Sequence, residues 1–544
     1  MKTKKQIGKY YTPEFLARFI VQHIAPHLQD RTVLKILEPS VGDGIFLKMF
    51  NELSLPETIK KIQLECVEKY KSALNKAELN AFHNADRRTN YSFVHDDFLR
   101  YQRKSKKKFS FILGNPPYIR KSLLSKTQIK LCQEIHIRAN LNPSIAKNIW
   151  SSFVVSCCSL LDENGIMAFV LPAELFQMTF SKDIKNYLVN QFDRIETFTF
   201  DELIFNQIGQ DTVLLICYKN SKEKGRFYCQ INDQSQLARE SYTLSPNESL
   251  VSSQMKWMHH ILTGEEIELL ERIKKDVKSI SSYCSAKPGI VTAANNYFIV
   301  DEIIEKQYNL KSYTKPIIQR GLFVNGSIVF DNDDLSKIRS EGRATKLLCF
   351  PNLRESYFDN YVNQFFQLGK KNSINKRYKC SQRDYWFAVP NIGEPPKGFF
   401  FKRCHYYPKL LKNEANVLVT DSAYKIEPLK EFFIEDIIYS FYNSFTLCYA
   451  EIEGRYYGGG VLELTPSEFK KLPLPYYKIS QTDFDEFRKR FEQKENIDDV
   501  LILQDQIILE GSLNLTIEDI KKIQTIKNKL VSKRLRANST AKHD

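Results

Sequence analysis

The first 220 or so residues alternate between short apolar runs and amphipathic runs, and this pattern constrains the fold most. The apolar runs "TVLKILEPS", "LECVEKY", "YSFVHDD" and "FSFILGN" are typical of buried strands, and "IFLKMFNEL" and "KSALNKAELNAF" between them are typical of helices. Glu38, Glu68 and Asp97 close three successive strands and stand about 30 residues apart, which suits one βαβ unit per interval. The pattern predicts an α/β fold with a doubly wound, mostly parallel sheet.

The regular spacing ends after about residue 220. Residues 232–254 are polar and are predicted to be a linker, which gives a first domain over residues 1–235 and a second over 255–544. In the second part aromatic and basic residues interleave, as in "KRYKCSQRDYWF" and "FFFKRCHYYPKLLK". We expect a mixed α/β domain there, followed by a basic C-terminal helix.

Charge and composition narrow the choice of partner. Lys and Arg number 79 against 64 Asp and Glu, a formal charge of +15 that favours a polyanion. We find no apolar run of 18 residues and no signal-peptide pattern, and the eleven cysteines show no zinc-ligand spacing. We therefore expect a cytoplasmic protein without a metal site or a membrane span.

The loop from Glu38 to Gly44 follows the first strand, where doubly wound folds hold nucleotide-like cofactors. Its glycines allow a ligand to approach the backbone closely, although the sequence is not GxGxxG. Glu38 and Asp43 would repel a pyrophosphate, so a cofactor with a cation and hydroxyl groups, such as S-adenosylmethionine, fits better. A tight βα turn without a ligand is the structural alternative.

Acidic residues at the next two strand ends extend this candidate site. Glu68 is placed to accept both hydroxyls of a ribose, and Glu65 is a rival for that role. Asp97 is placed to accept an adenine amino proton, with the ring of Phe98 beside the base. Each acid alone is more often a solvated strand end. Three acids at successive strand ends favour a binding site.

The fourth strand ends in "GNPPY", which contains two prolines that cannot extend a ladder. Asn115 offers a neutral carbonyl acceptor, Pro116 a main-chain carbonyl in a rigid frame, and Tyr118 an aromatic face. Together they are suited to gripping a planar group that carries an amine. The structural alternative is a rigid turn that only terminates the strand.

These segments together resemble the amino-methylating DNA methyltransferases, and most closely the N6-adenine group of gamma motif order found in type II restriction-modification systems. "GKYYTPEFLA" resembles the opening motif, and "ILEPSVGDGIFL" resembles "DPACGSGxFL" with Glu38, Val41 and Asp43 as departures. The resemblance implies a Rossmann-like methyltransferase domain. It implies that S-adenosyl-L-methionine is bound by Tyr11, Thr12, Pro13, Glu38, Pro39, Gly42, Asp43, Glu68, Asp97, Phe98 and Asn115.

The resemblance also implies the reaction. A target adenine would leave the duplex and lie between Tyr118 and Phe205, while Asn115 and Pro116 accept the protons of its N6 amine. The second part of the chain would be a target-recognition domain, with Arg383, Arg403 and Arg455 as candidate DNA contacts. A monomer acting on duplex DNA in the nucleoid, beside a separate cognate endonuclease, is the expected assembly.

Several alternatives remain open on the sequence. The accepting amine could belong to cytosine N4, to an RNA base or to a glutamine amide, since the same grip suits any planar amine. A fused restriction and methylation enzyme is a further alternative. The cofactor motif begins at Gly8, which leaves no room for a preceding nuclease. The last alternative is a protein that binds the cofactor and DNA without catalysing a reaction.

Overall fold

The structure is a computed structural model that describes residues 11–28, 31–82, 86–173, 175, 181–200, 212–239, 241–246, 261–324, 326–457, 460–493 and 496–535. The chain divides into two compact units, residues 1–264 with 536–544 and residues 265–535. Strands and helices are numbered below in chain order.

Nine strands among the described residues of the first unit form one sheet, in the order β3-β2-β1-β4-β5-β7-β6-β8-β9. Strands β1 to β5 are parallel to one another, whereas β7 runs antiparallel to both β5 and β6. The predicted doubly wound, mostly parallel sheet is therefore confirmed. The strands are β1 (Val33–Glu38), β2 (Lys61–Glu68), β3 (Thr89–His95), β4 (Phe109–Gly114), β5 (Leu161–Pro172), β6 (Arg194–Phe200), β7 (Thr212–Tyr218), β8 (Gly225–Ile231) and β9 (Ser245–Pro246).

Helices cover both faces of this sheet, because alternate side chains of the central strands point to opposite cores. On β4, Phe111 and Leu113 join one apolar cluster, and Ile112 joins the other. The described helices of this unit are α1 (Glu14–Ile24), α2 (Ile45–Asn51), α3 (Lys71–Phe82), α4 (Phe98–Lys104), α5 (Lys126–Arg138), α6 (Ile149–Leu160), α7 (Ser181–Gln191) and α8 (Gln234–Ala238).

The stretch predicted to be a linker contains secondary structure. It contains α8 and the edge strand β9, which pairs antiparallel with β8 through Phe227 and Tyr228. Polar composition predicted a linker because an exposed edge strand and a short surface helix carry few apolar residues.

The second unit is built from three smaller sheets, in the orders β10-β19-β15-β17-β13, β11-β14-β12-β18 and β16-β21-β20. Its described strands are β10 (Cys284–Pro288), β11 (Ile299–Val300), β12 (Thr314–Ile318), β13 (Val329–Phe330), β14 (Lys346–Leu348), β15 (Gly398–Phe401), β16 (Arg403–Cys404), β17 (Lys409–Asn413), β18 (Leu418–Val419), β19 (Ala423–Pro428), β20 (Arg455–Tyr457) and β21 (Val461–Glu463).

The helices described in this unit are α9 (Gly264–Lys274), α10 (Asn295–Phe298), α11 (Glu302–Gln307), α12 (Asn332–Ser340), α13 (Asn360–Lys371), α14 (Tyr378–Ser381), α15 (Ile434–Phe441), α16 (Ser444–Glu453), α17 (Pro466–Phe469), α18 (Gln481–Glu492), α19 (Ile497–Asp505), α20 (Gly511–Leu513) and α21 (Ile517–Leu535), with a π-helical turn at Gln506–Glu510.

Many aromatic residues that interleave with basic ones in the second unit lie in its interior. Phe366 and Phe387 stack with ring centroids 4.1 Å apart, and Phe350 and Phe358 meet them edge-on. Aromatic content there therefore reports core packing as well as surface chemistry. In the described part of the chain, no helix combines the length and the apolar character needed to cross a membrane.

Candidate cofactor and catalytic site

The strand order β3-β2-β1-β4 brings the predicted site residues to one edge of the first unit's sheet. Because parallel strands end on the same side, the residues that follow them line one cleft. Within the described residues the cleft is lined by Tyr11, Pro39, Ser40, Gly42, Glu68, Lys69, Tyr70, Asp97, Phe98, Asn115, Pro117, Ile119, Gln128, Ile149 and Phe153. Seven predicted cofactor residues are among them. Thr12, Pro13, Glu38 and Asp43 are not in the lining.

Gly44 fixes the start of α2 beside this cleft. Its φ is +84°, and a Cβ on it would stand 2.8 Å from the Cα of Ala77 on α3. A side chain at this position would be strained in the backbone and would push α3 away from the loop. This close packing holds the loop from Glu38 to Gly44 in place.

Two backbone N–H groups orient the carboxylate of Glu68. The Gly42 amide donates to its Oε2 over 3.1 Å, and the Tyr70 amide donates to its Oε1 over 2.9 Å. Glu65 is held elsewhere, since the hydroxyl of Tyr101 and the ammonium of Lys107 both donate to it over 2.5 Å. Glu68 lines the cleft and Glu65 does not, so the geometry favours Glu68 for a cofactor contact.

Asp97 has a structural role in addition to its place in the cleft. Its Oδ1 accepts from the Leu99 amide over 3.1 Å, which caps the N-terminus of α4. Its Oδ2 accepts from Gln128 Nε2 and pairs with Lys69 Nζ, both over 3.1 Å. The sequence reasoning missed Lys69 and Gln128. Only the position of Lys69 directly after Glu68 could have indicated it.

Glu38 is buried with its charge uncompensated by any hydrogen bond. It is 1% exposed, and neither carboxylate oxygen has a hydrogen-bond partner among the described residues. Burial raises the pKa of Glu38 well above its usual value, and the charges of Asp43 and Glu68 add to the rise. A buried carboxyl of this kind favours a nearby cation or hydrogen-bond donor from a ligand.

The loop after β4 is held from several sides. The hydroxyl of Ser40 donates to the main-chain carbonyl of Asn115 over 3.2 Å, which ties this loop to the one after β1. The Tyr118 hydroxyl donates to the carbonyl of Val170 on β5 over 3.0 Å. Farther along, the Ile149 amide donates to the carbonyl of Ile119 over 2.9 Å. Asn115 is thereby positioned in the cleft, half-buried.

The other residues predicted to hold the target base are Pro116, Tyr118 and Phe205. Pro116 is buried, and Tyr118 packs partly buried against the apolar core. Phe205, predicted to stack on the target base, lies outside the described residues. A stacking contact from Phe205 therefore stays a prediction.

The three arginines predicted to contact DNA make contacts inside the second unit. Arg383 donates to the carbonyls of Thr292 over 2.7 Å and Trp386 over 3.1 Å. Arg403 pairs with Glu463 over 2.5 Å, and Arg455 pairs with Glu468 over 2.8 Å. Arg403 is exposed, while Arg383 and Arg455 are half-buried. Their role on DNA stays a prediction.

Comparison with known proteins decides the family. The N-6 DNA methylase family matches residues 1–315, more than half of the 544 residues. The chain belongs to the N-6 DNA methylase family. Residues 254–509 of this methylase also match the C-terminal domain of the type II methyltransferase M.Eco57I.

Individual relatives cover both units of the methylase. The type II methyltransferase M.AccI of Acinetobacter calcoaceticus is 22% identical over 87% of this chain and 86% of its own length. M.BstVI of Geobacillus stearothermophilus is 21% identical over 77% of this chain and 80% of its own. The fold resembles the type IIL restriction-modification enzyme MmeI, solved in complex with DNA, with a TM-score of 0.57 and 12% identity over 95% of this chain and 71% of that one.

The family implies S-adenosylmethionine as the cofactor. The residues present fit it. Glu38 is a buried carboxyl without a partner, which suits the positive charge of the methionine end. The carboxylate of Glu68 at the cleft would suit the hydroxyls of a ribose, and Asp97 with Phe98 would suit an adenine ring.

Proposed function

We propose that this methylase transfers a methyl group from S-adenosylmethionine to the N6 amine of an adenine in duplex DNA, at one short sequence. The observation that carries the proposal is the position of Asn115 in the same cleft as Glu68 and Asp97. This position supports the proposal, because a candidate acceptor for an amine proton lies in the same cleft as the candidate residues for the methyl donor.

The residues of the loop act on the amine by accepting its protons. The Asn115 side-chain carbonyl and the Pro116 main-chain carbonyl are the two acceptors. Hydrogen bonding to both N–H groups raises electron density on a nitrogen whose lone pair is otherwise delocalised into the ring. When bound, S-adenosylmethionine would supply an electrophilic methyl group on its sulfonium. Methylation of the amine nitrogen would break that carbon–sulfur bond, leave a neutral thioether and release one amine proton to water.

The target base has to leave the duplex to reach this loop, because its amine is inaccessible while paired. Tyr118 presents a ring whose hydroxyl is fixed to the carbonyl of Val170. Stacking on such a ring replaces part of the lost base stacking, about 1–3 kcal/mol per base. Phe205 is proposed to cover the other face of the base.

The proposed setting is a restriction-modification system, which is supported by the type II methyltransferases among the relatives and by the likeness to the restriction-modification enzyme MmeI. We propose that the protein is the modification half, acts as a monomer beside a separate endonuclease, and works on DNA in the nucleoid. A fused nuclease is not favoured, because the methyltransferases M.AccI and M.BstVI match over 86% and 80% of their own lengths.

Transfer of a labelled methyl group into duplex DNA, RNA and protein tests the substrate class. We expect label in duplex DNA alone, in N6-methyladenine at one sequence when the products are sequenced. Label in N4-methylcytosine would overturn the choice of base, and label confined to RNA or protein would overturn the choice of substrate. Asn115→Ala, assayed at saturating cofactor, should lower the rate of methyl transfer by about 10²-fold to 10³-fold.

A further inference from the structure

A small pocket opens in the second unit, apart from the residues that the sequence singled out for DNA. It lies between the turn at residues 291–296 and α14. Its polar lining includes two neutral amides, two cations and one carboxylate, from Asn295, Asn296, Arg377, Lys379 and Asp421. Mixed amide, cationic and carboxylate groups are the set that distinguishes base edges.

The backbone of the turn at residues 291–296 is fixed by close packing next to it and by hydrogen bonds within it. A Cβ on Gly289 would stand 2.2 Å from the carbonyl oxygen of Thr420, so only glycine permits this approach. The Ala294 amide donates to Thr292 Oγ1 over 3.1 Å, and that hydroxyl donates to Asn295 Oδ1. The Asn295 side chain is thereby fixed at the pocket.

The turn also contains a strained residue. Ala293 has a φ of +67°, which residues with a Cβ rarely adopt. Arg383 stabilises the turn through its bond to the Thr292 carbonyl, and Arg377 donates to the Ala293 carbonyl over 3.1 Å. Strained backbone that the surroundings hold in place occurs often at ligand sites.

Exposed cations continue from the rim of the pocket. Residues 370–383, "KKNSINKRYKCSQR", contain six basic residues and no acidic one. Lys376, Arg377 and Lys379 are all exposed, and the ring of Tyr378 among them is 80% exposed. A charge run alone is often only a solvated face. An exposed aromatic ring between three cations, beside a concave pocket, is typical of a nucleic-acid contact.

We propose that this pocket and its rim contact duplex DNA during methylation, an inference that rests on the proposed function. Lys376, Arg377 and Lys379, the basic rim, contact phosphates. Asn295, Asn296 and Asp421 contact base edges, since an Asn amide can pair with adenine and a carboxylate can accept from cytosine N4. A pocket for phosphate alone would not contain the carboxylate of Asp421. Arg383 stabilises the turn through its hydrogen bond to the Thr292 carbonyl.

Salt dependence of binding tests the basic rim. Removing one cation from a phosphate reduces the slope of log K against log salt by about 0.9. The variant K376Q/R377Q/K379Q should therefore bind a random-sequence duplex of about 40 base pairs with a slope reduced by about two to three. Anisotropy titrations across salt concentrations measure this without any methyl transfer.

Two further variants keep the test sound. K376Q/K379Q leaves the Arg377 bond to the turn intact and should reduce the slope by about two. K478Q/K489Q/K521Q removes the same charge from exposed lysines elsewhere in the unit and should change the slope by less than about one. A wild-type slope in both rim variants, or an equal reduction in the control, overturns the phosphate contacts.

Selection of bound duplexes from a random pool tests the base contacts. The wild type should enrich one motif. N295A, N296A and D421N should each relax one position of it, by about 10-fold to 100-fold, with an unchanged salt slope. Failure of the wild type to enrich any motif, or full discrimination in all three variants, overturns the base contacts.

The binding assays separate this inference from the proposed function. If the wild type transfers no methyl group to DNA while the rim variants lose salt dependence, the proposed function fails and the contact surface stands. If the wild type methylates DNA and the rim and pocket variants bind as it does, the surface fails and the function stands.

Discussion

The cleft of the first unit and the basic rim of the second unit have opposite electrostatics. The cleft is lined by the carboxylates of Glu68 and Asp97, and the buried Glu38 precedes its lining residue Pro39 in the chain. All three acids are at most 8% exposed, whereas the rim presents exposed cations. A small cationic cofactor gains most from acceptors that are shielded from water. A polyanion gains from solvated cations that release its counterions. Substitutions in the cleft should therefore change chemistry or cofactor affinity, and substitutions in the rim should change DNA affinity.

The largest expected effect is on methyl transfer, where a substitution in the cleft should change kcat and substitutions in the basic rim should change KM for DNA. Asn115→Ala should lower kcat by about 10²-fold to 10³-fold, because one acceptor for the developing charge is removed. Its Kd for duplex DNA should remain within about threefold of the wild type. K376Q/R377Q/K379Q should do the reverse, with a raised KM for DNA and kcat retained at saturating DNA. Both variants changing the same parameter would contradict the separation.

The next effect concerns stability and the packing of the first unit. Gly44→Ala should lower the free energy of unfolding by about 2–4 kcal/mol, because a positive φ is combined with a contact on the Cα of Ala77. Gly342 in the second unit has a φ of +71° with no atom near its virtual Cβ. Gly342→Ala should therefore cost only about 1–2 kcal/mol. Urea unfolding measures both, and equal losses would show that the contact with α3 is unimportant.

Cofactor affinity distinguishes two acids of one strand. Glu68→Gln should weaken binding of S-adenosylmethionine by about 10-fold, since a charged acceptor at the cleft becomes neutral. Glu65→Gln should leave the affinity unchanged, because Glu65 is engaged by Tyr101 and Lys107 outside the cleft. Calorimetry on both variants decides between them. A loss confined to Glu65→Gln would reverse the assignment.

Much of the first unit could be predicted from sequence, because strand and helix periods are local and βαβ spacing orders the strands. The carboxyl-edge position of Glu68 and Asp97 followed from that order alone. The antiparallel insertion of β7 between β5 and β6 could not be predicted, since the pairing direction there depends on contacts distant in sequence. The pairing of Gln128 with Asp97 could not be predicted either, because it joins residues from different elements.

The second unit was far less predictable. Its strands are short and belong to three sheets, so their sequence periods are brief. Arg383 illustrates the difficulty. Its sequence neighbourhood predicted a DNA contact, and the structure adds that its guanidinium is half-buried and bonds to main-chain carbonyls. Arg377, six residues earlier in the same basic run, also bonds to a main-chain carbonyl but is exposed, and only the structure shows that difference in exposure.

Glu38, the buried acid at the end of β1, gives a smaller, pH-dependent effect. The pKa of Glu38 in the fold lies above the value of 4.5 expected when unfolded, so its contribution to stability falls as pH rises above 4.5. A cationic ligand favours the ionised form, so binding should release a proton and strengthen with pH, by less than about tenfold per unit.

Binding of S-adenosylmethionine between about pH 5 and 7, where the amine of the cofactor stays charged, measures this linkage. Glu38→Gln should make the affinity nearly independent of pH over that range and should stabilise the ligand-free protein. An unchanged pH dependence in Glu38→Gln would show that another group titrates. Lys379→Gln in the basic rim should leave the profile as it is.

The smallest effect concerns the ring beside the catalytic loop. The Tyr118 hydroxyl bonds to the Val170 carbonyl, so Tyr118→Phe removes that neutral hydrogen bond and should cost about 0.5–1.5 kcal/mol of positioning. Methyl transfer should fall by less than about tenfold. Tyr118→Ala also removes the stacking face and should fall further, by the additional 1–3 kcal/mol or so that one base stack contributes. If Phe and Ala were equally impaired in single-turnover assays, the hydroxyl and not the ring would be the group that positions the base.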